Sequence, residues 1–549
     1  MLNFYWHRND FMRSSSMKGW NGFKGLIFLL IILFLEPCFL LAQPNILLIF
    51  SDDLNTRIGP YMELKHHTPN LDELARKGVR FSRAYCQFPL CGPSRASVMS
   101  GLYPETNGVL VNDDSPGSYK KINPSLKEHP SMAGFFREQG YFTARVSKIF
   151  HMGVPGGIER GEPGGDEPDS WDYAFNVMGP ETCSPGTLEL LSPINKHYGG
   201  NFSRMILPDS LGLFQTDHVA ASQAIAILEN RAGKIPEGAR NKKRIKPDAP
   251  FFLAVGFVRP HVPLIATESC FENYPVSEVV LPPVKIGDNV PEEALRNRNE
   301  NRFGMDELQQ KRTISAYMAS VRFMDQQVGR LLEALEKLDL RKNTIVIFLS
   351  DHGYNLGEHD CWQKTSLWEG TVRVPLIISV PGMENSYGTT CSSITELIDL
   401  YPTLLELCGY EGNAPAILQG RSLVRYIRDS KLVDEEAEAY TVSYGGRAGT
   451  IVHDEWRYTR WGDGTDAGNE ELYDHAADPE EFQNLADVPE MQVILDEMRE
   501  RFDRAKMISL KNTDTEQQAN QTISKWREDY WQNLPYYDDP GCFYKFQLR

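Results

Sequence analysis

Two apolar runs in this chain end in acids. Asn45-Ile-Leu-Leu-Ile-Phe-Ser leads directly into Asp52 and Asp53, and Thr344 to Ser350 leads into Asp351 and His352. In an open α/β sheet, ligands sit beyond the carboxyl ends of the strands, so two such ends would bring three carboxylates and one imidazole to a single edge. That donor set suits a hard divalent cation. Oxygen-rich ligation favours calcium or magnesium over zinc, and calcium tolerates the irregular geometry of side chains drawn from separate loops. One Asp at a strand end more often caps the next turn; its repetition on two strands favours an ion. A third group, Cys91-Gly-Pro93-Ser94-Arg95-Ala-Ser97, runs on into Val98-Met99-Ser100-Gly101 in a helical register. Pro93 fits a first helical turn, where its missing N–H costs nothing, and this puts Cys91 at the positive end of a helix. Backbone N–H groups there hold a phosphate or sulfate, and Arg95 one turn along adds a guanidinium contact. The string alone leaves two rivals standing: Cys91 as a low-pKa thiolate nucleophile, or Cys91 as a packed residue.

The elements that must position these groups are legible as short runs rich in Ile, Val, Leu and Phe: Asn45 to Phe50, Phe142 to Val146, Phe251 to Phe257, Thr344 to Leu349 and Pro375 to Val380. They read as buried strands. Helical patterns lie between them, at Pro69 to Gly78 behind a Thr68 cap and over the long stretch from Ile314 to Leu340. Such alternation predicts an α/β sandwich with a mostly parallel sheet. Lys148 and His151 follow the second strand and His261 the third, so they fall on the rim that carries the acids. A lone His or Lys there is usually solvated; several of complementary chemistry favour a site. Gly153 to Gly200 and Arg231 to Asp248 read as surface insertions. From about residue 421 the chain changes to short strands at Tyr440 to Tyr444, Thr450 to Val452 and Trp456 to Trp461. A helix over Met491 to Lys506 follows, and the pattern describes a smaller α+β unit. The aromatic tail, with Trp526, Tyr530, Trp531, Tyr536 and Tyr537, is expected to pack back onto the body.

Composition sets outer bounds. The chain has 549 residues, 41% hydrophobic and 24% charged, which allows a large packed core with an appended unit. Its formal charge of -17 argues against nucleic acid or an anionic bilayer as a partner, so an anionic substrate has to meet a local basic pocket. Basic residues before the apolar run from Leu26 to Leu35 read as a signal peptide over residues 1–42, cleaved near Ala42. Secreted or periplasmic placement follows, lysosomal for an animal protein, with no stable membrane span after signal removal. The nine cysteines show no metal-knuckle spacing and imply no particular bridge.

Taken together, Cys91-Gly-Pro-Ser94-Arg95 with Ser100-Gly101-Leu-Tyr-Pro-Glu resembles the signature of the type I sulfatases, whose cysteine is oxidised to formylglycine (3-oxoalanine). The likeness extends through Asp52-Asp53-Leu, Thr68-Pro-Asn-Leu-Asp72, Val146-Ser-Lys148-Ile-Phe-His151, Arg259-Pro-His261-Val-Pro and Ser350-Asp-His-Gly-Tyr-Asn-Leu-Gly-Glu-His359 with Lys364. It spans Asn45 to Leu407 in order, and more loosely Glu471-Leu-Tyr-Asp474 to Asn484-Leu. Within that family the pattern is more similar to the iduronate-2-sulfatases than to the arylsulfatases.

The resemblance implies an alkaline-phosphatase-like sandwich, with a catalytic domain over residues 43–420 and a C-terminal subdomain over 421–549. It implies one calcium ion on Asp52, Asp53, Cys91, Asp351 and His352, and a maturation enzyme acting on Cys91. Arg95, Lys148 and Lys364 are the implied sulfate clamps. His261 is the implied general acid toward the leaving alcohol, and His151 the base that releases sulfate and regenerates the aldehyde. The substrate class is a sulfated carbohydrate, such as a 2-O-sulfated uronic acid or an algal polysaccharide fragment. Two alternatives stand beside it: a formylglycine-dependent phosphodiesterase or phosphonate hydrolase, and a non-catalytic sugar-binding protein. His359 stays outside the expected site, and Trp362 and Trp368 suit either core packing or stacking on a sugar.

Overall fold

The computed structural model describes residues 43–62, 68–195, 199–230, 248–287, 289–462 and 468–510. The signal segment, His66 and His67, most of the Arg231 to Asp248 stretch and the aromatic tail lie outside these residues.

The apolar run after Asn45 forms strand β1 (Asn45–Asp52), with every residue buried. The other strands of the main sheet are β2 (Val79–Tyr85), β3 (Phe142–Ser147), β4 (Tyr173–Phe175), β5 (Phe251–Pro260), β6 (Thr344–Ser350), β7 (Arg373–Ser379) and β8 (Thr389–Cys391), with a two-residue strand at Thr395–Glu396 also paired to β2. Their spatial order is β8-β2-β7-β6-β1-β5-β3-β4. β1 is parallel to both neighbours, β5 and β6, while β7 runs antiparallel to β2 and β6. A mostly parallel sheet buried on both faces was expected from continuous apolar runs, and the sheet has that form. The alternation is visible within β1 itself. Ile46, Leu48 and Phe50 pack on one face with Val98, Met99 and Tyr401, and Leu47 and Ile49 pack on the other with Leu71, Ala220 and Tyr317.

The helices that matter for the site are α1 (Pro69–Arg76), α2 (Cys91–Ser100), α3 (Thr216–Asn230) and α4 (Glu307–Lys337). α4 starts earlier than its apolar periodicity suggested because Asp306 and Gln309 form a reciprocal capping box, which satisfies backbone donors ahead of the first buried turn. β2 escaped sequence reading, since its Val-Arg-Phe-Ser-Arg-Ala-Tyr has no continuous apolar run and its alternation breaks at Ser82-Arg83.

Not all of Gly153 to Gly200 lies on the surface as expected. Trp171, Asp172 and Glu181 within it are buried, because Asp166 accepts from both Arg145 and Trp171, and Glu181 forms an ion pair with Arg259.

Past the main sheet, β9 (Glu438–Ser443), β10 (Ala448–His453), β11 (Trp456–Trp461) and β12 (Glu470–Asp474) form an antiparallel meander, followed by α5 (Gln492–Ser509). Tyr440, Tyr458, Met498 and Phe502 from this unit share one apolar cluster with Phe88, Tyr103 and Ile398 of the main body. Among the described residues, no helix is long and apolar enough to cross a membrane.

Candidate active site

Register alone brings the expected residues to one edge. Ser51 pairs with Ser350 and Asp52 with Pro260, so the acids after β1, Asp351-His352 after β6 and His261 after β5 emerge side by side. Ser147 at the end of β3 pairs with Gly256, which sets Lys148 on the same rim. Asp53 turns the chain sharply, with φ of 64°.

Cys91 opens α2 and faces this edge. Its Sγ lies 3.3 Å from His352 Nε2, 3.7 Å from Asp53 Oδ1 and 3.2 Å from Lys364 Nζ, and Lys364 also donates to Asp53 Oδ1 at 2.7 Å. Lys148 Nζ donates to Asp52 Oδ2 at 2.5 Å. Arg95 does not reach outward as a clamp would. Its Nε donates to Asp351 Oδ2 at 2.7 Å, its Nη2 to Asp52 Oδ1 at 3.2 Å and its Nη1 to the Lys148 carbonyl at 2.5 Å, and the side chain is fully buried. Position 95, one turn into α2, sets the guanidinium beneath the carboxylates, where it ties together the ends of β1, β3 and β6.

Buried charge is balanced here by opposite charge. Burial alone would raise the Asp52 carboxyl, but Lys148 and Arg95 outweigh it and hold the group well below the usual range. Asp53 is lowered for the same reason, with His261 and Lys364 opposing the desolvation. Cys91 moves the other way. Burial and the Asp52 carboxylate push its thiol well above the ordinary value, so the thiolate that a helix N-terminus would favour is suppressed. Burial, with Lys364 adding to it, takes His261 down to about 3 against the opposing pull of Asp53. Its Nδ1 lies 2.6 Å from the Val262 carbonyl and its Nε2 3.8 Å from Asp53 Oδ2.

The donor chemistry fits a hard cation. Asp52, Asp53, Cys91 and His352 each offer a ligand atom within 4.8 Å of the others, and all four are buried. Asp53 Oδ2 has no hydrogen-bond partner despite complete burial, an orphan that a cation would satisfy. His352 Nδ1 lies 2.8 Å from the Gly353 carbonyl, which leaves Nε2 toward the cluster. Asp351 stands beside this set. Its oxygens accept from Arg95 and from the backbone N–H groups of Asp53 and His352, with Oδ1 3.8 Å from His352 Nε2.

His151 sits on the loop after β3, where Asp114, which no sequence signal marked out, lies 2.7 Å from its Nδ1. His359 stacks on Trp368 at 3.8 Å between ring centroids, and both are buried. Trp362 is buried against Phe202, so the two tryptophans belong to the core.

The family model described as Sulfatase matches residues 44–155 and 226–410, and one described as N-sulphoglucosamine sulphohydrolase, C-terminal, matches residues 357–507. A sulfatase of Formosa agariphila is 32% identical over 452 residues, covering 81% of this chain and 83% of that protein. Human iduronate 2-sulfatase is 30% identical over 409 residues, covering 67% and 69%. Among solved structures, a phosphonate monoester hydrolase of Agrobacterium radiobacter shares the fold with a TM-score of 0.63 at 20% identity, covering 85% of this chain and 96% of that one. One fold thus serves two chemistries, and the sequence matches decide between them: the chain belongs to the sulfatase family and is a sulfuric ester hydrolase.

Proposed function

We propose that this sulfatase hydrolyses the sulfate ester of a sugar, with position 91 as formylglycine and one calcium ion held by Asp52, Asp53, Asp351, His352 and residue 91. The observation that carries the proposal is the placing of Cys91 Sγ, at a helix N-terminus, within 3.7 Å of Asp53, His352 and Lys364. Formylglycine supplies a hydrated aldehyde as the nucleophile toward sulfur, which a suppressed thiol does not. A bound calcium ion supplies positive charge for the sulfate oxygens, in a site already walled by buried carboxylates.

The chain's own residues do the rest. Lys364 and Lys148 bring ammonium groups to the rim and hold the anionic ester. Arg95 acts through Asp351 and Asp52, fixing the ligands instead of touching sulfate. Burial disfavours the His261 imidazolium and an anionic ester beside it favours it; the charged ring then protonates the departing sugar oxygen. His151 takes up a proton as sulfate leaves. All these groups lie within residues 43–420, the span assigned to catalysis, with 421–549 as a smaller subdomain. Export and a maturation enzyme that oxidises Cys91 belong to the same proposal. The likeness to human iduronate 2-sulfatase favours a 2-O-sulfated uronic acid as the first substrate to try.

Peptide mass spectrometry of active enzyme tests the nucleophile, with formylglycine expected at position 91 and loss of activity in Cys91→Ala. Chelation should abolish sulfate release and added calcium restore it. Full activity with an intact thiol, or after complete metal removal, would overturn the proposal. Faster cleavage of a phosphodiester than of any sulfate ester would favour the hydrolase alternative.

A further inference from the structure

His151 is held by a carboxylate from another part of the chain. Asp114 lies in the loop that follows the short helix Pro104–Asn107, and this loop is fastened over the N-terminus of α2 by the Asn112 side-chain oxygen, which accepts from the Gly92 N–H at 2.8 Å. Ser115 N–H donates to Asp113 Oδ1 at 2.7 Å, closing the turn. The Asp114 carboxylate then accepts from the Gly153 backbone N–H and lies 2.7 Å from His151 Nδ1. From the other side, Gly165 N–H donates to the His151 carbonyl at 2.7 Å. The backbone of His151 and the Asp114 carboxylate are therefore each fastened by a main-chain N–H. The contact between ring and carboxylate is within bonding distance but off the line of a good hydrogen bond. Catalytic hydrogen bonds without substrate are often misaligned in this way and tighten when it binds.

We propose that Asp114 is the positioning residue of His151: its carboxylate accepts a hydrogen bond from Nδ1–H and leaves Nε2 as the bare lone pair through which the ring accepts a proton during turnover. The carboxylate fixes one tautomer and one ring orientation, and it stabilises the imidazolium once formed. Burial is the strongest influence on the ring and disfavours its charge; three charged groups act on it as well: Asp114, Lys148 from the end of β3 and Asp52 from the end of β1. Lys148 opposes the imidazolium and the two carboxylates favour it. Without Asp114 the ring loses the charge that holds its Nδ1 proton, and it is free to turn over to the unproductive tautomer.

The inference rests on the sulfatase reading, and the experiment keeps the two apart. The mature enzyme, labelled with ring-15N histidine, is compared with Asp114→Asn by NMR, and His151→Gln serves only to assign the signal. The wild type should show His151 protonated on Nδ1, and Asp114→Asn should lose that signature. In steady-state kinetics, Asp114→Asn should lower kcat by ~10–100-fold, with KM changed by less than about 2-fold. A merely structural role would instead lower the melting temperature and leave the tautomer and kcat of the folded variant as in the wild type. Unchanged kcat in a folded Asp114→Asn, or wild-type His151 carrying its proton on Nε2, overturns the proposal. If the variant does not fold, the wild-type spectrum decides alone. A wild type that cleaves no sulfate ester removes the sulfatase reading, and the spectrum still judges the pair.

Discussion

The departing alcohol of a sugar sulfate is a poor leaving group, whereas that of an activated aryl sulfate needs little help. If His261 supplies the proton, His261→Ala should slow sugar sulfates by ~10²–10⁴-fold and aryl sulfates far less. Equal losses on the two substrates, measured as kcat/KM, would remove His261 from that role. Most of the residues around it were legible because they come in short strings. Asp52-Asp53, Asp351-His352 and Cys91-Gly-Pro-Ser-Arg95 each carry a recognisable chemistry within a few positions. Asp114 was invisible for the opposite reason, since its significance lies in a ring that the fold brings to it from beyond β3. Arg95 was visible but misdirected. A sequence shows that a guanidinium follows the helix N-terminus by one turn; only packing shows that its donors are already taken by Asp351, Asp52 and the Lys148 carbonyl.

Between elements, the approach of β5 to the turn after β3 is set by one glycine. A Cβ on Gly256 would lie 1.8 Å from the Lys148 carbonyl oxygen, a backbone atom that cannot swing aside. Gly256→Ala therefore has to push the two elements apart, with Lys148 carried out of reach of Asp52. Overpacking of this kind destabilises by about 1–3 kcal/mol, and a misplacement of about 1 Å at a reacting centre costs on the order of 10²-fold in rate. The expected result is a folded enzyme with a lowered melting temperature and a disproportionate fall in kcat. Wild-type kcat in that variant would contradict the close approach. The strand pattern of the main sheet was readable because buried parallel strands are continuous apolar runs. β2 was not, because it has no continuous apolar run and its alternation breaks at Ser82-Arg83. The interior of the Gly153 to Gly200 stretch was not either, because its Gly and Pro content resembles a loop while its buried contacts are ion pairs.

At the scale of the whole molecule, the seam between main body and C-terminal meander holds buried acids whose proton affinity is raised. Burial raises Glu396 to about 8, Asp399 to about 6 and Glu105 to about 7. Glu396 accepts from Tyr103 Oη at 2.8 Å and from the Tyr440 N–H at 2.9 Å, so it links the two units directly. These groups bind protons more tightly in the folded state than in the unfolded chain, so the stability they contribute is fully present below about pH 4. It declines as pH rises toward about 8 and levels off beyond. The melting temperature should fall by roughly 5 °C between pH 5 and 8, and Glu396→Gln should flatten that slope. A melting temperature that rises over the same interval would refute the assignment. The ion pair of Glu181 with Arg259 bears on the molecule in another way. Glu181 belongs to the stretch between β4 and α3, Arg259 to the strand that delivers His261, and both are buried. A segment of another protein grafted in place of that stretch, as one would do to retarget substrate choice, has to bring its own carboxylate. Otherwise it strands a buried guanidinium at about 3–5 kcal/mol. Loop and strand are therefore exchangeable only as a matched pair, and the scaffold is less modular than its loops suggest.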